Sequence, residues 1–263
     1  MELLAFSALC PLHRRLSSYV MKHQRILSAR AMSCARALIF MLASLLPAGL
    51  LIADESPSGS PAVSSTQVET IVCVRHGEKP KSGLGNLDVQ GLNRALALPD
   101  ALARYGTPAY IFAPDPAADL VSEGSMTMDG TSKEGVCYVR PLLTIGPTAI
   151  RCGLPINTEY GFKHIDGLET ELDKPHYRGV LVFIAWEHRE AEQFMRNEVR
   201  DHGGNPDSVP PWTHDDFDSI YVARISRDAN GAVSVSFRVD HEGLNGMSGD
   251  FPKPAAAAPT TVK

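Results

Sequence analysis

The sequence predicts an α/β sandwich in which a mostly parallel sheet lies between two layers of helices. Continuous apolar runs at 68–74 and 180–185 are typical of strands that are buried on both faces of a parallel sheet. Segments with helical spacing follow both runs, and this alternation favours helices on both faces of the sheet. With 263 residues, 44% of them hydrophobic, the chain is long enough for one domain with a sizeable core.

The first 53 residues are predicted to be a targeting segment. They contain six Lys or Arg and one acidic residue, and they end in the uncharged run 37–53. A basic region, an apolar region and small residues before a polar stretch are typical of a secretory signal peptide, cleaved here near Ala53. Met21 or Met32 could be the true start. The alternative is an uncleaved anchor, because 17 apolar residues are just enough to span a bilayer.

Without this segment the chain is acidic, with 19 basic and 29 acidic residues and a net charge of −10 when histidine is neutral. Such a chain has no electrostatic footprint for nucleic acid. Cys73 falls within an apolar strand and is predicted to be buried. Cys137 and Cys152 could form a disulfide or remain free, and the sequence does not decide between the two. We expect an exported protein, periplasmic or secreted, that contacts a membrane only through its N-terminal signal or anchor.

The elements of the domain, predicted over 68–251, follow a Ser/Pro/Gly linker at 54–67. After the first strand comes a helix over 88–106 that Asp88 caps and Gly106 ends. Pro99 is expected to kink or split this helix. A second strand is predicted at 108–114.

The second half repeats the alternation after a polar, irregular excursion at 115–135, which is long enough to be functional or disordered. A helix is predicted within 137–157, with Pro141 near its first turn and Gly153 at its end. A helix to about Arg200 follows the strand at 180–185. Two alternating strands over 217–240 surround Asn230-Gly231, which is a strong hairpin signal. Residues 252–263 are predicted to be a disordered tail.

Two strand ends carry the residues that point to chemistry. Arg75 and His76 follow the first strand, and His188 follows the strand at 180–185. Ligands of open α/β sheets bind beyond the carboxyl ends of the strands, so we expect these side chains to lie together. A neutral imidazole can attack phosphorus, a second imidazole can stabilise the developing charge, and arginine binds a phosphoryl group bidentately.

The sequence also resembles a known family. "VCVRHGE" resembles the Arg-His-Gly signature of the histidine phosphatase superfamily, which has the phosphoglycerate-mutase-like fold. Four later segments are similar to further motifs of that family in the same order: "LDVQGLNRALAL", "YIFAPDP", "RPLLTIGPTAIRCGLPI" and "LVFIAWEH". The similarity spans residues 70–195.

The resemblance implies a role for several residues. His76 would accept the phosphoryl group, Arg75 and Arg140 would bind the phosphate, and His188 would complete the pocket. The proton donor would be a carboxylic acid near the second histidine, for which Glu187 is the first candidate. Three further candidates are Asp166, Glu169 and Glu171.

The sequence departs from the family pattern at several places. Asp88 stands where Thr is usual, and Ala113 where Ser is common. Arg189 follows the second histidine where a small residue is frequent, so it could add a substrate contact or crowd the pocket. The 47 residues between Arg140 and His188 leave little room for a helical lid, which implies a compact, open site.

The resulting prediction is an exported phosphatase that hydrolyses phosphate monoesters, or related phosphoryl compounds, without a metal or another cofactor. One alternative is a non-catalytic phosphate-binding module of the same fold, and another is a membrane-anchored interaction protein. "WTHDDFD" holds His214, Asp215, Asp216 and Asp218, which could ligate a divalent metal but lack the spacing of a known metal-binding loop.

Overall fold

The computed structural model describes residues 66–83, 85–121 and 135–253. The predicted targeting segment, nearly all of the predicted linker, most of the excursion at 115–135 and most of the predicted tail lie outside the described residues. None of the helices in the described part combines the length and the apolar character that a membrane crossing needs.

Within the described residues, five strands form one sheet in the order β2-β3-β1-β4-β5. The strands are β1 (Gln67–Arg75), β2 (Tyr110–Phe112), β3 (Leu181–Trp186), β4 (Ser219–Arg227) and β5 (Val233–His241). β3 runs parallel to both β1 and β2. β4 runs antiparallel to β1 and to β5, so the predicted hairpin extends the parallel part of the sheet at one edge.

Helices cover both faces of the sheet, as the sequence predicts. The helices are α1 (Val89–Leu102), α2 (Arg140–Cys152), α3 (Ile165–Leu172) and α4 (His188–Asp201). Alternate side chains of β1 enter different cores: Val72 and Val74 pack in the cluster that contains residues of α1 and α2. Ile71 and Cys73 pack in the cluster that contains residues of α3 and α4. The α/β three-layer prediction is confirmed.

Helix α1 begins at the predicted cap and ends close to the predicted stop. The Asp88 carboxylate accepts a hydrogen bond from the Gly91 amide at 2.8 Å. Pro99 lies inside the helix, which continues to Leu102 and then tightens into a 3₁₀ turn, Ala103–Tyr105. Gly106 follows with φ 98°. Of the two effects expected of Pro99, a kink or a split, the split does not occur, because one helix runs through the proline.

Helix α2 is bonded to the loop that follows β1. Pro141 occupies its first turn and Gly153 ends it in the left-handed conformation, φ 66°, as predicted. The Thr144 hydroxyl accepts a hydrogen bond from the Gly77 amide at 2.9 Å and donates to the Arg140 carbonyl at 2.9 Å. This one side chain therefore links the residue after His76 to the start of α2.

Two glycines allow α1 to approach the same loop closely. A Cβ on Gly77 would lie 3.0 Å from the Cα and from the carbonyl oxygen of Gly91. A Cβ on Gly91 would overlap the carbonyl oxygen of Glu78 and lie 2.8 Å from its nitrogen. Because the obstacles are backbone atoms, neither position has room for a side chain.

Helix α3 occupies the segment between Arg140 and His188, and the sequence analysis did not predict it. Leu168 and Leu172 of α3 are buried in the same core as Phe194 of α4. The Glu171 carboxylate accepts hydrogen bonds from the hydroxyls of Tyr160 and Tyr177, both at 2.9 Å. The helix is part of the layer beside α4 and not a lid, which agrees with the expected shortage of room.

The C-terminal segment after β5 is held against α1. The Asn93 side chain donates to the carbonyls of Ser248 and Asp250 at 2.7 and 2.8 Å. Arg94, whose side chain is fully buried, donates to Glu242 at 2.6 Å and to Glu78 at 2.7 Å. The same guanidinium therefore joins the loop after His76 to the end of the domain.

The cysteines of the described part are free. Cys73 is buried in β1, Cys137 is exposed and Cys152 is partly exposed. Cys152 ends the 13-residue helix α2, and Cys137 lies three residues before that helix begins. A helix of that length spans about 20 Å, whereas the two Cα atoms of a disulfide must lie within about 7 Å. The disulfide that the sequence left open is therefore absent from this structure.

Candidate active site

A cavity of about 330 Å³ lies beyond the carboxyl ends of β1 and β3. Arg75 pairs with Trp186 in the sheet, and the His76 amide donates to the Trp186 carbonyl at 3.1 Å. The residues that follow the two strands therefore leave the sheet side by side. All six residues that the sequence proposed for the site line this cavity: Arg75, His76, Arg140, Glu187, His188 and Arg189.

The three other candidates for the proton donor are not in the lining of this cavity. Asp166, Glu169 and Glu171 lie on α3. The Glu169 carboxylate accepts a hydrogen bond from Asn197 at 2.7 Å, and the Glu171 carboxylate binds the two tyrosines described above. The structure therefore does not support these residues as proton donors, because α3 holds them in the layer beside α4.

The His76 imidazole is buried and held in one tautomer. Its Nδ1 lies 2.7 Å from the Gly77 carbonyl, which can only accept, so Nδ1 carries the proton and Nε2 keeps its lone pair. Burial, followed by the positive charge of Arg140, holds the pKa of His76 well below its ordinary value. The ring is therefore neutral at physiological pH, with Nε2 free to act as a nucleophile.

The Arg75 guanidinium is bound on one side by main-chain carbonyls. Its Nη1 donates to the carbonyls of His214 and Asp216 at 2.6 and 2.8 Å, and lies 3.4 Å from that of Thr213. Its Nε is buried and has no hydrogen-bond acceptor within the described part of the chain. Burial lowers the pKa of Arg75 to about 10, which leaves the group charged at neutral pH. An uncompensated donor of this kind favours an anion in the cavity.

Arg140 enters the cavity as the first residue of α2. Its side chain is nearly buried, and its Cζ lies 4.6 Å from the centre of the Tyr138 ring. The Arg140 amide donates to the Gly85 carbonyl at 3.1 Å, which fixes the start of the helix. Burial raises the pKa of Tyr138, so the phenol beside Arg140 stays protonated.

Glu187 caps α4 and contacts His188. Its Oε2 accepts hydrogen bonds from the amides of Arg189 and Glu190 at 2.7 and 3.1 Å, and its Oε1 lies 2.5 Å from Nδ1 of His188. Burial raises the pKa of Glu187, but His188 and the two amides outweigh burial and lower it overall. An ionised carboxylate has no proton to give, so the structure does not support the prediction that Glu187 is the proton donor.

Glu190, which the sequence analysis did not propose, also lines the cavity. Burial, followed by the negative charge of Glu187, raises its pKa. The sequence signal was present, because Glu190 lies two residues after His188 and is closer to it in the chain than Asp166, Glu169 and Glu171 are. What the sequence could not show is that Glu187 is used as a helix cap.

The rest of the lining is mixed in character. Arg189 is exposed and has no side-chain partner among the described residues, so it leaves the cavity open and does not crowd it. The other lining residues are Lys79, Val121, Tyr138, Phe162 and His214. The cavity therefore combines several cationic groups with an aromatic wall.

No group of three or more His, Cys, Asp or Glu side chains in the described residues is arranged to hold a metal ion. The segment "WTHDDFD" explains why. His214 faces the cavity, whereas the Asp216 carboxylate accepts the amides of Asp218 and Ser219 at 2.9 and 3.0 Å. The Asp218 carboxylate instead lies 3.5 Å from Arg94. These side chains diverge and do not form the ligand set that the sequence left open.

The chain was compared with known proteins. No family model matches it, and the search of curated proteins finds no match. Among solved structures it is similar to a mycobacterial glucosyl-3-phosphoglycerate phosphatase in complex with inorganic phosphate, with 13% identity, a TM-score of 0.40, and coverage of 65% of this chain and 95% of that one. It is also similar to a phosphoglycerate mutase from Plasmodium falciparum, with 14% identity, a TM-score of 0.39, and coverage of 73% and 98%. A phosphoserine phosphatase mutant from Entamoeba histolytica, in complex with phosphoserine, gives 10% identity, a TM-score of 0.39, and coverage of 67% and 98%.

Proposed function

We propose that the protein is a phosphatase that hydrolyses phosphate monoesters through a phosphohistidine on His76. The observation that carries the proposal is the state of His76, which is neutral, held in one tautomer by the Gly77 carbonyl, and placed in one cavity with Arg75 and Arg140. A neutral nucleophile beside two guanidinium groups fits the transfer of a dianionic phosphoryl group.

The reaction has two steps. His76 Nε2 attacks phosphorus, a P–N bond forms, and the P–O bond to the alcohol breaks. Arg75, Arg140 and His188 stabilise the charge on the phosphoryl oxygens. Water then attacks the phosphorus of the phosphohistidine, the P–N bond breaks, and phosphate leaves.

Glu190 supplies the proton for the first step. Its raised pKa favours the acid form, which protonates the departing alcohol oxygen, and the carboxylate that remains accepts a proton from the attacking water in the second step. Glu187 stays ionised and orients His188 through the contact between Oε1 and Nδ1. No step requires a metal, so we expect activity to persist in EDTA.

Rapid mixing with a ³²P-labelled phosphate monoester tests the proposal. The wild-type protein should form an acid-labile, base-stable phosphoprotein, and His76→Ala should form none. His176→Ala, which removes a half-exposed imidazole outside the cavity, serves as the matched control and should label like the wild type. Labelling of His76→Ala would overturn the assignment of the nucleophile. Binding of phosphate without labelling or turnover would favour the non-catalytic module.

A further inference from the structure

The segment 212–218, "WTHDDFD", contacts both groups that phosphoryl transfer needs to have aligned. We propose that Phe217 is a positioning residue of the site, and that its ring and the carbonyls of 213–216 hold the Arg75 guanidinium with Nε and Nη2 towards the phosphoryl group. This inference rests on the proposed function of the cavity and concerns residues that its mechanism does not otherwise use.

The donors of the Arg75 guanidinium are divided between two sides of the group. A guanidinium has five N–H donors in a fixed plane. Its Nη1 is committed to the carbonyls of His214 and Asp216, with that of Thr213 nearby. The Nε is buried without an acceptor in the described residues. The edge formed by Nε and Nη2 is the part of the fork that remains for a bidentate contact with phosphate.

The Phe217 ring lies close to both Arg75 and His76. Its centre lies 3.9 Å from Arg75 Cζ, within the range of a cation–π contact. The same ring lies 6.0 Å from the His76 imidazole, at an interplanar angle of 63°. Carbonyl contacts at Nη1 fix one end of the guanidinium, and the ring 3.9 Å from Cζ limits how far the rest of the group can turn. Phe217 therefore constrains the angle between the phosphate-binding edge and the nucleophile.

The segment 212–218 is itself held by internal hydrogen bonds and by stacking on β4. The Asp216 carboxylate accepts the two amides that lead into β4, and Trp212 Nε1 lies 3.2 Å from the Asp216 carbonyl. Trp212 stacks on Tyr221 of β4, with ring centres 4.1 Å apart and planes at 25°. The segment is thus anchored to β4, the strand next to β1. Its carbonyls therefore hold the Arg75 guanidinium in a fixed position relative to the sheet.

Three variants separate positioning from packing. Phe217→Leu removes the aromatic face, whereas Phe217→Tyr keeps it. Phe183→Leu, at a buried phenylalanine of β3 that contacts Tyr105 in the core on the side of α1 and α2, is the control for loss of an aromatic side chain outside the cavity. For each variant we would measure the Kd of inorganic phosphate by calorimetry, kcat and KM on p-nitrophenyl phosphate, and Tm.

We expect Phe217→Leu to weaken phosphate binding and to lower kcat/KM by about tenfold, which corresponds to the loss of one cation–π contact in a desolvated site. Phe217→Tyr should stay within about twofold of the wild type, and Phe183→Leu should lower Tm without changing phosphate affinity. If Phe217→Leu lowers Tm while the Kd of phosphate and kcat/KM stay at the wild-type values, the residue only packs and the inference is wrong.

A double-mutant cycle tests whether Phe217 affects phosphate binding through Arg75. In the background of Arg75→Lys, which lacks the planar fork, Phe217→Leu should cost much less phosphate affinity than it does in the wild type. Equal costs in both backgrounds would contradict the inference. The cycle is measured by phosphate binding, so it does not depend on turnover. If the wild-type protein binds phosphate without turnover, the proposed phosphatase is wrong, but the cycle still tests whether Phe217 positions Arg75.

Discussion

Glu187 and Glu190 lie three residues apart at the start of α4, and their surroundings shift their pKa values in opposite directions. Two main-chain amides and His188 lower the pKa of Glu187 against the effect of burial. Burial and the charge of Glu187 raise the pKa of Glu190. Two neighbouring carboxyl groups with opposite shifts are a recurrent arrangement for dividing acid and anionic roles in a site. In the proposed mechanism, the use of Glu187 as the helix cap leaves Glu190 as the acid.

Glu190→Gln should lower kcat on an alkyl phosphate by about a hundredfold, because the alkoxide leaving group then lacks a proton donor. The loss should be much smaller on p-nitrophenyl phosphate, whose leaving group needs little protonation. Glu187→Gln is the matched comparison and should weaken catalysis to a similar extent on both substrates, since it acts through His188. A selective loss on the alkyl phosphate in Glu187→Gln would return the acid role to Glu187.

The pH profile follows from the same two shifts. Neutral His76 is required, and it is lost as the pH falls through a pKa that burial and Arg140 have lowered. Protonated Glu190 is required, and it is lost as the pH rises through a pKa that burial has raised. We expect a bell-shaped profile of kcat/KM on the alkyl phosphate, with an acid limb below the ordinary range of histidine. The alkaline limb should vanish in Glu190→Gln, and its persistence there would show that another group titrates.

The sequence predicted which residues line the candidate site, but it did not predict which role each of them has there. Arg75, His76, Arg140 and His188 are identified by their residue types and their order in the chain. Neither the use of Glu187 as a cap nor the contact of Phe217 with Arg75 follows from spacing. Phe217 lies 142 positions after Arg75 in the sequence, and the two meet only because β4 pairs with β1.

The approach of α1 to the loop after β1 depends on two residues that have no side chain. Gly91 of α1 lies against the backbone of Glu78, and Gly77 lies against the backbone of Gly91. Thr144 of α2 binds the Gly77 amide from the neighbouring helix. Both helices of this layer therefore hold the residue next to the nucleophile.

Gly91→Ala should destabilise the domain by about 2 kcal/mol, because the new methyl group overlaps main-chain atoms that cannot turn aside. We also expect a fall in kcat, since relief of the overlap moves Glu78 and with it the His76 loop. Gly146→Ala in α2, where the added Cβ meets nothing within 4 Å, is the control and should keep or raise stability. Chemical denaturation and steady-state kinetics measure both effects. Unchanged kinetics in Gly91→Ala would show that the loop is not sensitive to this contact.

Helices and strands could be predicted best where a long periodic segment is bounded by a capping or turn residue. Asp88 and Gly153 mark observed helix boundaries, and Asn230-Gly231 lies in the observed turn, where Gly231 has φ 82°. Helix α3 was not predicted because it has only eight residues, and polar residues interrupt its apolar positions. Its stability comes from burial of Leu168 and Leu172 against α4, which local sequence does not reveal.

The far end of the molecule, away from the cavity, contains a buried acidic group. Glu198 of α4 is nearly buried, and burial, followed by the charges of Glu69 and Asp173, raises its pKa well above the ordinary value. His202 Nδ1 lies 3.5 Å from Oε2 of Glu198. An N–H of Arg227 lies 3.1 Å from His202 Nε2, so Nε2 accepts, and Nδ1 donates to the Glu198 carbonyl at 2.8 Å.

This group should make the domain less stable as the pH rises. The folded pKa of Glu198 lies above its unfolded pKa, so its contribution is fully present below the unfolded value and is lost as the pH rises through the folded one. Glu198→Gln imitates the protonated form and should raise the free energy of unfolding by about 1 kcal/mol at pH 8, with little change at pH 4. Urea denaturation at both pH values measures the difference. A variant that is less stable than the wild type at pH 8 would contradict this account.

The arrangement of the whole domain could be predicted only in outline. Strand and helix alternation gave the three layers, because each apolar run needs cover on both faces. The strand order and the antiparallel edge depend on pairing between distant segments such as Val72 with Val222. Predictions for the first 53 residues, including export, stay predictions because those residues lie outside the described part.

The contacts between α1 and the C-terminal segment limit where the chain can be truncated or fused to another protein. Every residue with a proposed chemical step lies before position 191, so a deletion that begins at residue 242 would spare all of them. It would nevertheless remove Glu242, the carboxylate that Arg94 binds at 2.6 Å while it also holds Glu78 beside the nucleophile loop. Affinity tags and reporter fusions should therefore start after Lys253, and nonsense alleles that end the chain at 241 should score as inactive.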